Sequence, residues 1–304
     1  MDSRQTEEPM LFGLSQFTTG DLTFEEYLRL LQACEVKSVE IAESKLSPIE
    51  ERARDQILEL TESGITVSGV VPRVHALFPD TLNPMITDLK ERLDSFHASI
   101  DFFARALPGV GLPILTITGA APGVHLRDSY AYALRAYREL VQHAAAVGVR
   151  LMFEPLGPVL MNTDTFICTL YRAMELIERV DHPDFGLALD SWHVWDEPLL
   201  PERIVSAGDR IFGVQVSDYP RNEPRGFADR IIPGEGCIDF RSFFGAVEAA
   251  EFSGPIVLEI FSAKEYPDSL WRADPYEVVA QGRRAIERLW LERHRPNIGS
   301  SSVG

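Results

Sequence analysis

The segment Gly186-Leu-Ala-Leu-Asp-Ser-Trp-His193 passes within a few positions from small and apolar residues to a carboxylate, a hydroxyl, an indole and an imidazole. Its apolar part suits a strand buried on both faces. Asp190 then closes the strand, and His193 overhangs the same rim if the chain turns into a helix there. A simple helix cap is the competing reading of Asp190. Other apolar runs end in the same way: Glu154 closes Arg150-Leu-Met-Phe-Glu, Gln215 lies in Ile211-Phe-Gly-Val-Gln-Val-Ser just before Asp218, and Glu259 closes Pro255-Ile-Val-Leu-Glu. In the first half, Glu40 lies in Ser38-Val-Glu-Ile-Ala, and His75 follows Ile65-Thr-Val-Ser-Gly-Val-Val.

If these runs are parallel strands, their ends share one mouth, where ligands bind in parallel α/β folds. The carboxylates of Glu154, Asp190 and Glu259 repel one another there unless a proton or a cation sits between them. Together with the Gln215 amide they form an oxygen donor set suited to one divalent cation of the Mn²⁺ or Mg²⁺ kind, unlike a structural zinc site rich in Cys and His. Rim salt bridges to Arg150, Arg210 or Arg230 are the alternative for each carboxylate taken singly.

Strand-like and helix-like segments alternate along the whole chain. Met10–Gln16 reads as a first strand and Thr23 opens a helix with a Thr-x-x-Glu capping box. Strands follow at Ser38–Ala42, Ile65–Val71, Leu112–Thr118, Arg150–Glu154, Gly186–Asp190, Ile211–Ser217 and Pro255–Ile260. Helices are expected from Ser47 (cap) and Pro48, over Ile86–Ala106, Ser129–Val147, Asp164–Val180, Pro201–Ala207, Phe240–Ala250 and Tyr276–Arg293. Eight strand-helix units without a linker or a composition break predict one (β/α)₈ barrel over residues 9–294, with a doubly wound open sheet as the runner-up. No Gly-x-Gly-x-x-Gly follows any strand, which argues against a dinucleotide fold. The charged segment 1–8 and the tail 295–304 are expected to be flexible.

The net charge of −17 argues against nucleic acid or an anionic membrane as partner and leaves a small ligand. The three cysteines, Cys34, Cys168 and Cys237, have no metal-type spacing and read as free thiols. Neither a signal-peptide core nor an apolar run long enough for a bilayer is evident, so the expected location is the cytoplasm.

Taken together, these motifs resemble those of the xylose isomerase-like TIM barrels, the sugar phosphate isomerases and epimerases. The resemblance covers nearly the whole chain and is most specific in its second half. Members carry a Glu closing strand five, an Asp-x-x-His after strand six, a His or sometimes Gln in strand seven followed by x-x-Asp, a later Arg-x-x-Pro-Gly-x-Gly, and a Glu closing strand eight. Here these fall on Glu154, on Asp190 with His193, on Gln215 with Asp218, on Arg230-Ile-Ile-Pro-Gly-Glu-Gly236, and on Glu259.

The resemblance implies one divalent ion, Mn²⁺ before Mg²⁺ or Co²⁺, held by Glu154, Asp190, Gln215 and Glu259. It also implies Glu154 and Glu259 as the acid/base pair, with His193 on a substrate oxygen and Arg230 on a remote substrate group. His75 and Glu40 are further candidates for substrate contact. The implied reaction is proton transfer next to a carbonyl of a small sugar, inosose or keto-polyol, in which the cation stabilises the enediolate. Isomerisation or epimerisation is the expected outcome.

A lyase of the same fold is the alternative, because the Gln215 segment looks like that of 3-dehydroshikimate dehydratases, while Val-Pro-Arg-Val-His75 does not match their Gln-Pro-Phe-Arg. C-glycoside-cleaving β-elimination is a further lyase reading. A homo-oligomer, a partner subunit, or a non-catalytic barrel subunit completes the expectations.

Overall fold

A computed structural model of the chain describes residues 10–121, 123–221 and 225–294. The segments 1–8 and 295–304 lie outside the described residues. The strands are β1 (Phe12–Ser15), β2 (Ser38–Ala42), β3 (Thr66–Val71), β4 (Pro113–Thr116), β5 (Arg150–Phe153), β6 (Phe185–Asp190), β7 (Ile211–Val216) and β8 (Ile256–Leu258). They pair in parallel, each with its sequence neighbour, and β8 returns to β1 to close the barrel. The expected (β/α)₈ architecture is therefore the observed one.

The helices are α1 (Phe24–Ala33), α2 (Glu50–Glu62), α3 (Leu89–Ala106), α4 (Leu126–Ala146), α5 (Leu170–Val180), a single turn α6 (Ser191–Val194), α7 (Leu200–Ala207), α8 (Phe240–Ala249) and α9 (Pro275–Glu292). Thr23 and Glu26 form the reciprocal capping box expected at α1. Three helices start later than expected: α3 begins at Leu89 behind the Asp88 cap rather than at Ile86, and α2 and α5 are delayed as well. Ser47 does not cap α2; its hydroxyl accepts the Ile49 N–H at 3.2 Å and closes a turn ahead of the helix. Helix α5 starts after Thr169, whose hydroxyl accepts the Arg172 N–H. The preceding residues are held elsewhere: Asp164 binds Thr81, and Met161 bridges Thr165. Among the described residues, no helix is long and apolar enough to cross a membrane.

The main apolar core fills the space between strands and helices, with Leu14, Phe103, Leu140, Phe153 and Phe244 buried in it. Each such side chain contributes roughly 1.5–3 kcal/mol through burial. Inside the barrel, Met152 occupies the axis between two glycines. A Cβ on Gly213 would lie 2.9 Å from its sulfur, and one on Gly69 would lie 3.1 Å from its terminal methyl. These glycines make room for the methionine, and the polar layer toward the mouth begins at Glu40. Strand register puts Asp190 beside Gln215 and Ser15 beside Glu40.

Candidate active site at the barrel mouth

The carboxyl ends of the strands open into a cavity with about 590 Å³ of empty space, part of it continuous with solvent. Glu154, His193, Arg230, Glu259 and His75 line it. Asp190 and Gln215 lie buried beside these residues, whereas Glu40 sits deeper in the barrel and does not reach the cavity wall. Phe261 is a wall. Trp192 and Trp195 pack their rings against Tyr219, at 5.3 and 4.7 Å.

Arg230 is the centre of the polar network. Its Nη1 donates to Asp190 Oδ2 at 2.7 Å and to Glu259 Oε2 at 2.9 Å. Its Nη2 lies 3.0 Å from Nε2 of His193. The guanidinium of this arginine, expected on a remote substrate group, lies among the carboxylates and also lines the cavity. Glu259 Oε1 also accepts from Ser15 Oγ at 3.2 Å and from Gln215 Nε2 at 3.1 Å. Gln215 Nε2 donates to Glu40 Oε1 at 2.7 Å, so one amide separates two buried carboxyls. Asp190 serves both purposes weighed for it, since its Oδ1 caps α6 through the Trp192 N–H at 2.9 Å while Oδ2 faces Arg230.

Glu40, Glu154, Asp190 and Glu259 are at most 6% exposed, and one guanidinium cannot neutralise all four. Burial, reinforced by Glu259 and Asp190, pushes the Glu154 carboxyl well above the ordinary carboxylate range. Burial raises Glu40 to about 8, with Glu259 adding to it. Burial also raises Glu259, to about 7, against the pull of Arg230. Asp190 is raised by burial despite Arg230. The cluster therefore calls for protons or a further cation.

His193 is buried, and burial together with Arg230 lowers its pKa well below the ordinary value, so the ring is neutral. The Gly157 N–H donates to its Nδ1 at 3.0 Å. Nδ1 is thus the acceptor, and Nε2 carries the ring proton. Nε2 lies 3.8 Å from Glu154 and 3.6 Å from Asp190.

The donor set fits a divalent cation. Glu154, Asp190 and His193 bring potential ligand atoms within 4.8 Å of one another. Gln215 Oε1 is buried without a hydrogen-bond partner, an orphaned hard oxygen of the kind that such an ion takes. His193 fits less well as a ligand because its Nε2 lone pair is used by the proton.

Several cavity residues escaped the sequence reading. Asp164, Asp80, Thr81, Phe17 and Phe227 all line the cavity. Asp164 was hidden because helical periodicity was extended across its loop. Phe17 follows β1 directly, and its place after a strand end was the available signal.

The sequence pattern that defines xylose isomerase-like TIM barrels matches residues 28–289. The chain belongs to this family. Among solved structures of the fold, a protein of Sinorhizobium meliloti 1021 superposes with a TM-score of 0.78 at 22% identity, covering 92% of this chain and 98% of that one. The IOLI protein with a zinc atom superposes at 0.77 and 19% identity, covering 94% and 100%.

In sequence, a 3-dehydroshikimate dehydratase of Pseudomonas aeruginosa is 33% identical over 174 residues, 53% of this chain and 26% of the dehydratase. An L-ribulose 3-epimerase of Methylomonas sp. is 28% identical over 147 residues, 48% of this chain and 47% of the epimerase. The chain thus spans about a quarter and about half, respectively, of these relatives' lengths. An inosose isomerase of Bacillus subtilis is 30% identical over 132 residues, covering 42% of this chain and 46% of the isomerase. These relatives are enzymes named as isomerases, epimerases and dehydratases.

Proposed function

We propose that the chain is a divalent-metal-dependent isomerase or epimerase of a small sugar, inosose or keto-polyol. The observation that carries this reading is a pair of buried carboxyls, Glu154 and Glu259, facing one cavity in opposite hydrogen-bonding states. Glu259 accepts bonds on both oxygens. Glu154 accepts none from the described residues, so its oxygens are available to a proton or a ligand.

Glu154, Asp190, Glu259 and Gln215 Oε1 would hold the ion, Mn²⁺ in the first place. A bound divalent cation supplies Lewis-acid stabilisation of the negative charge that develops on substrate oxygen. One glutamate of the pair takes the proton from the carbon next to the carbonyl. The other delivers a proton to the neighbouring carbon for isomerisation or to the opposite face for epimerisation. The Nε2–H of His193 donates to the substrate oxygen that gains charge. Asp190 and Glu259 fix the guanidinium of Arg230 within hydrogen-bonding distance of that imidazole.

The test is solvent-deuterium exchange into ketoses and inososes, followed by mass spectrometry, before and after dialysis against chelator. Exchange without loss of mass, abolished by the chelator and restored by Mn²⁺, is expected. Exchange that persists fully in chelator-treated, metal-free protein would sink the metal-dependent reading.

A second reading is dehydration, favoured by the 33% identity to a dehydratase segment and by Gln215 in strand seven. In it the returning proton goes to a departing β-hydroxyl, and the product is lighter by one water.

A further inference from the structure

The far wall of the cavity is built by the β3–α3 and β5–α5 loops, and its chemistry differs from that of the carboxylate cluster. Asp164 is 6% exposed and lines the cavity. Its Oδ1 accepts the Thr81 N–H at 2.7 Å and the Thr81 hydroxyl at 2.6 Å. Its Oδ2 is buried without a hydrogen-bond partner among the described residues. The loop carrying Thr81 is locked in place, because buried Arg92 pairs with Asp80 and donates to the carbonyls of Ala76, Asn83 and Ile86. Asp80 is fully engaged: its other oxygen accepts the Leu82 and Asn83 N–H groups. Asp164 Oδ2 is therefore a fixed acceptor that none of the described residues uses.

This wall offers no permanent cation to a phosphate among the described residues. Among the described residues that line the cavity, Arg230 is the one permanent cation, and it is bonded to Asp190 and Glu259. Arg225, nearby in sequence, is committed to Asp229 and Asp268.

The loop after strand seven, one of those where barrels of this kind often bind phosphate, has its backbone N–H groups taken from within. Asp218, wholly buried, accepts the N–H groups of Gly234 at 2.7 Å, Gly236 at 2.8 Å, Ile238 at 3.0 Å and Tyr219 at 2.8 Å. A Cβ on Gly236 would stand 2.1 Å from the Tyr219 carbonyl oxygen, so a side chain there would push this loop apart. These N–H groups are therefore committed to an internal carboxylate.

We infer that the substrate is a non-phosphorylated polyol, whose hydroxyl remote from the reacting carbonyl donates to Asp164 Oδ2. This rests on the isomerase or epimerase reading for the identity of the reacting end. Aliphatic side chains between the two poles, Leu115, Ile117 and Leu156, suit the C–H face of a sugar or cyclitol and exclude water from both ends. A phosphate dianion at the same place would meet the Asp164 carboxylate, and among the described residues lining the cavity no uncommitted Lys or Arg offsets the repulsion.

The test is isothermal titration of the metal-loaded protein with L-ribulose and D-allulose, each beside its terminal monophosphate, together with Asp164→Asn. The variant keeps an acceptor for Thr81 and turns the Oδ2 position into a donor. At least one free ketose is expected to bind at least about tenfold more tightly than its ester. Asp164→Asn is expected to weaken that binding about ten- to hundredfold, the usual effect of a hydrogen bond to a charged group, and to raise KM with kcat nearly unchanged.

The proposal is overturned if an ester binds as well as its free ketose, if no free ketose binds at millimolar concentration, or if a folded Asp164→Asn variant binds unchanged. Deuterium exchange into an ester alone overturns this inference and leaves the isomerase reading standing. Binding of a free ketose with neither exchange nor loss of water has the reverse consequence.

Discussion

The backbone N–H of Gly157 points at Nδ1 of His193 from 3.0 Å, and this contact decides which ring nitrogen carries the proton. With Nδ1 accepting, Nε2 is a donor and has no lone pair for a metal. The same bond leaves Arg230 Nη2 at 3.0 Å facing another N–H, so a substrate oxygen placed beside the two nitrogens can accept from both donors.

His193→Ala is accordingly expected to keep its metal and to lose about a hundredfold or more in turnover, the usual cost of removing a donor to developing oxyanion charge. Metal content by elemental mass spectrometry and turnover by deuterium exchange check this together. A variant that loses its metal would mean that His193 is a ligand and that the tautomer assignment is wrong.

Gln215 separates Glu40 from Glu259 by donating to both, at 2.7 and 3.1 Å. Gln215→Leu removes that donor and sets two buried carboxyls against each other. We expect a loss of about 2–3 kcal/mol of stability, in the range for a hydrogen bond to a charged group, read from urea denaturation. Gln215→His is expected to retain metal, because the ring supplies a ligand where the amide oxygen stood. Metal loss in the histidine variant would remove Gln215 from the ligand set.

The strand ends were readable because a buried parallel strand is a near-continuous apolar run and its first polar residue stands out. That signal places Glu154, Asp190, Gln215 and Glu259 in the chain, and the barrel brings them to one mouth. It does not tell where a long side chain points. Arg230 reads as a remote substrate contact from its motif, and its guanidinium, still lining the cavity, is drawn among the buried carboxylates that pair with it. Glu40 looks like any strand carboxylate in sequence; only the closed barrel shows it braced by Gln215 below the cavity. Asp164 falls inside a segment of helical periodicity, and the turn chemistry of Asn162, Thr163 and Thr165 competes with that periodicity and wins.

On the rim, Asp229 accepts three hydrogen bonds from Arg225. Those side-chain bonds hold its pKa below the ordinary value of 3.8. A depressed carboxylate contributes stability that is fully present above its unfolded pKa and is lost as pH falls through the folded one. Asp229→Asn should therefore cost about 1 kcal/mol near neutral pH, the charge-assisted bond being partly exposed on the arginine side. The gap between the two proteins should close below about pH 3.8. Denaturant midpoints at neutral and acid pH for both proteins check the sign, and a gap that widens in acid would contradict it.

Asp218 connects the strand-seven end to Arg230 through backbone as well as side chain. Its own N–H and C=O pair with Ile231, at 2.9 and 3.2 Å, one residue beyond Arg230. Its carboxylate collects four N–H groups of the loop that follows. Asp218→Asn replaces one acceptor oxygen by an NH₂ group that faces backbone donors, and an amide flip only moves the conflict to the other pair. The expected result is a loss of about 2–4 kcal/mol, from unmade buried hydrogen bonds. Turnover should fall as well, because the segment that aims Arg230 between Asp190 and Glu259 loosens. Hydrogen exchange distinguishes this from general destabilisation: protection should fall first at Gly234, Gly236 and Ile238 while the β6 amides stay protected. Uniform loss of protection across the barrel would show that Asp218 supports the whole fold rather than this loop.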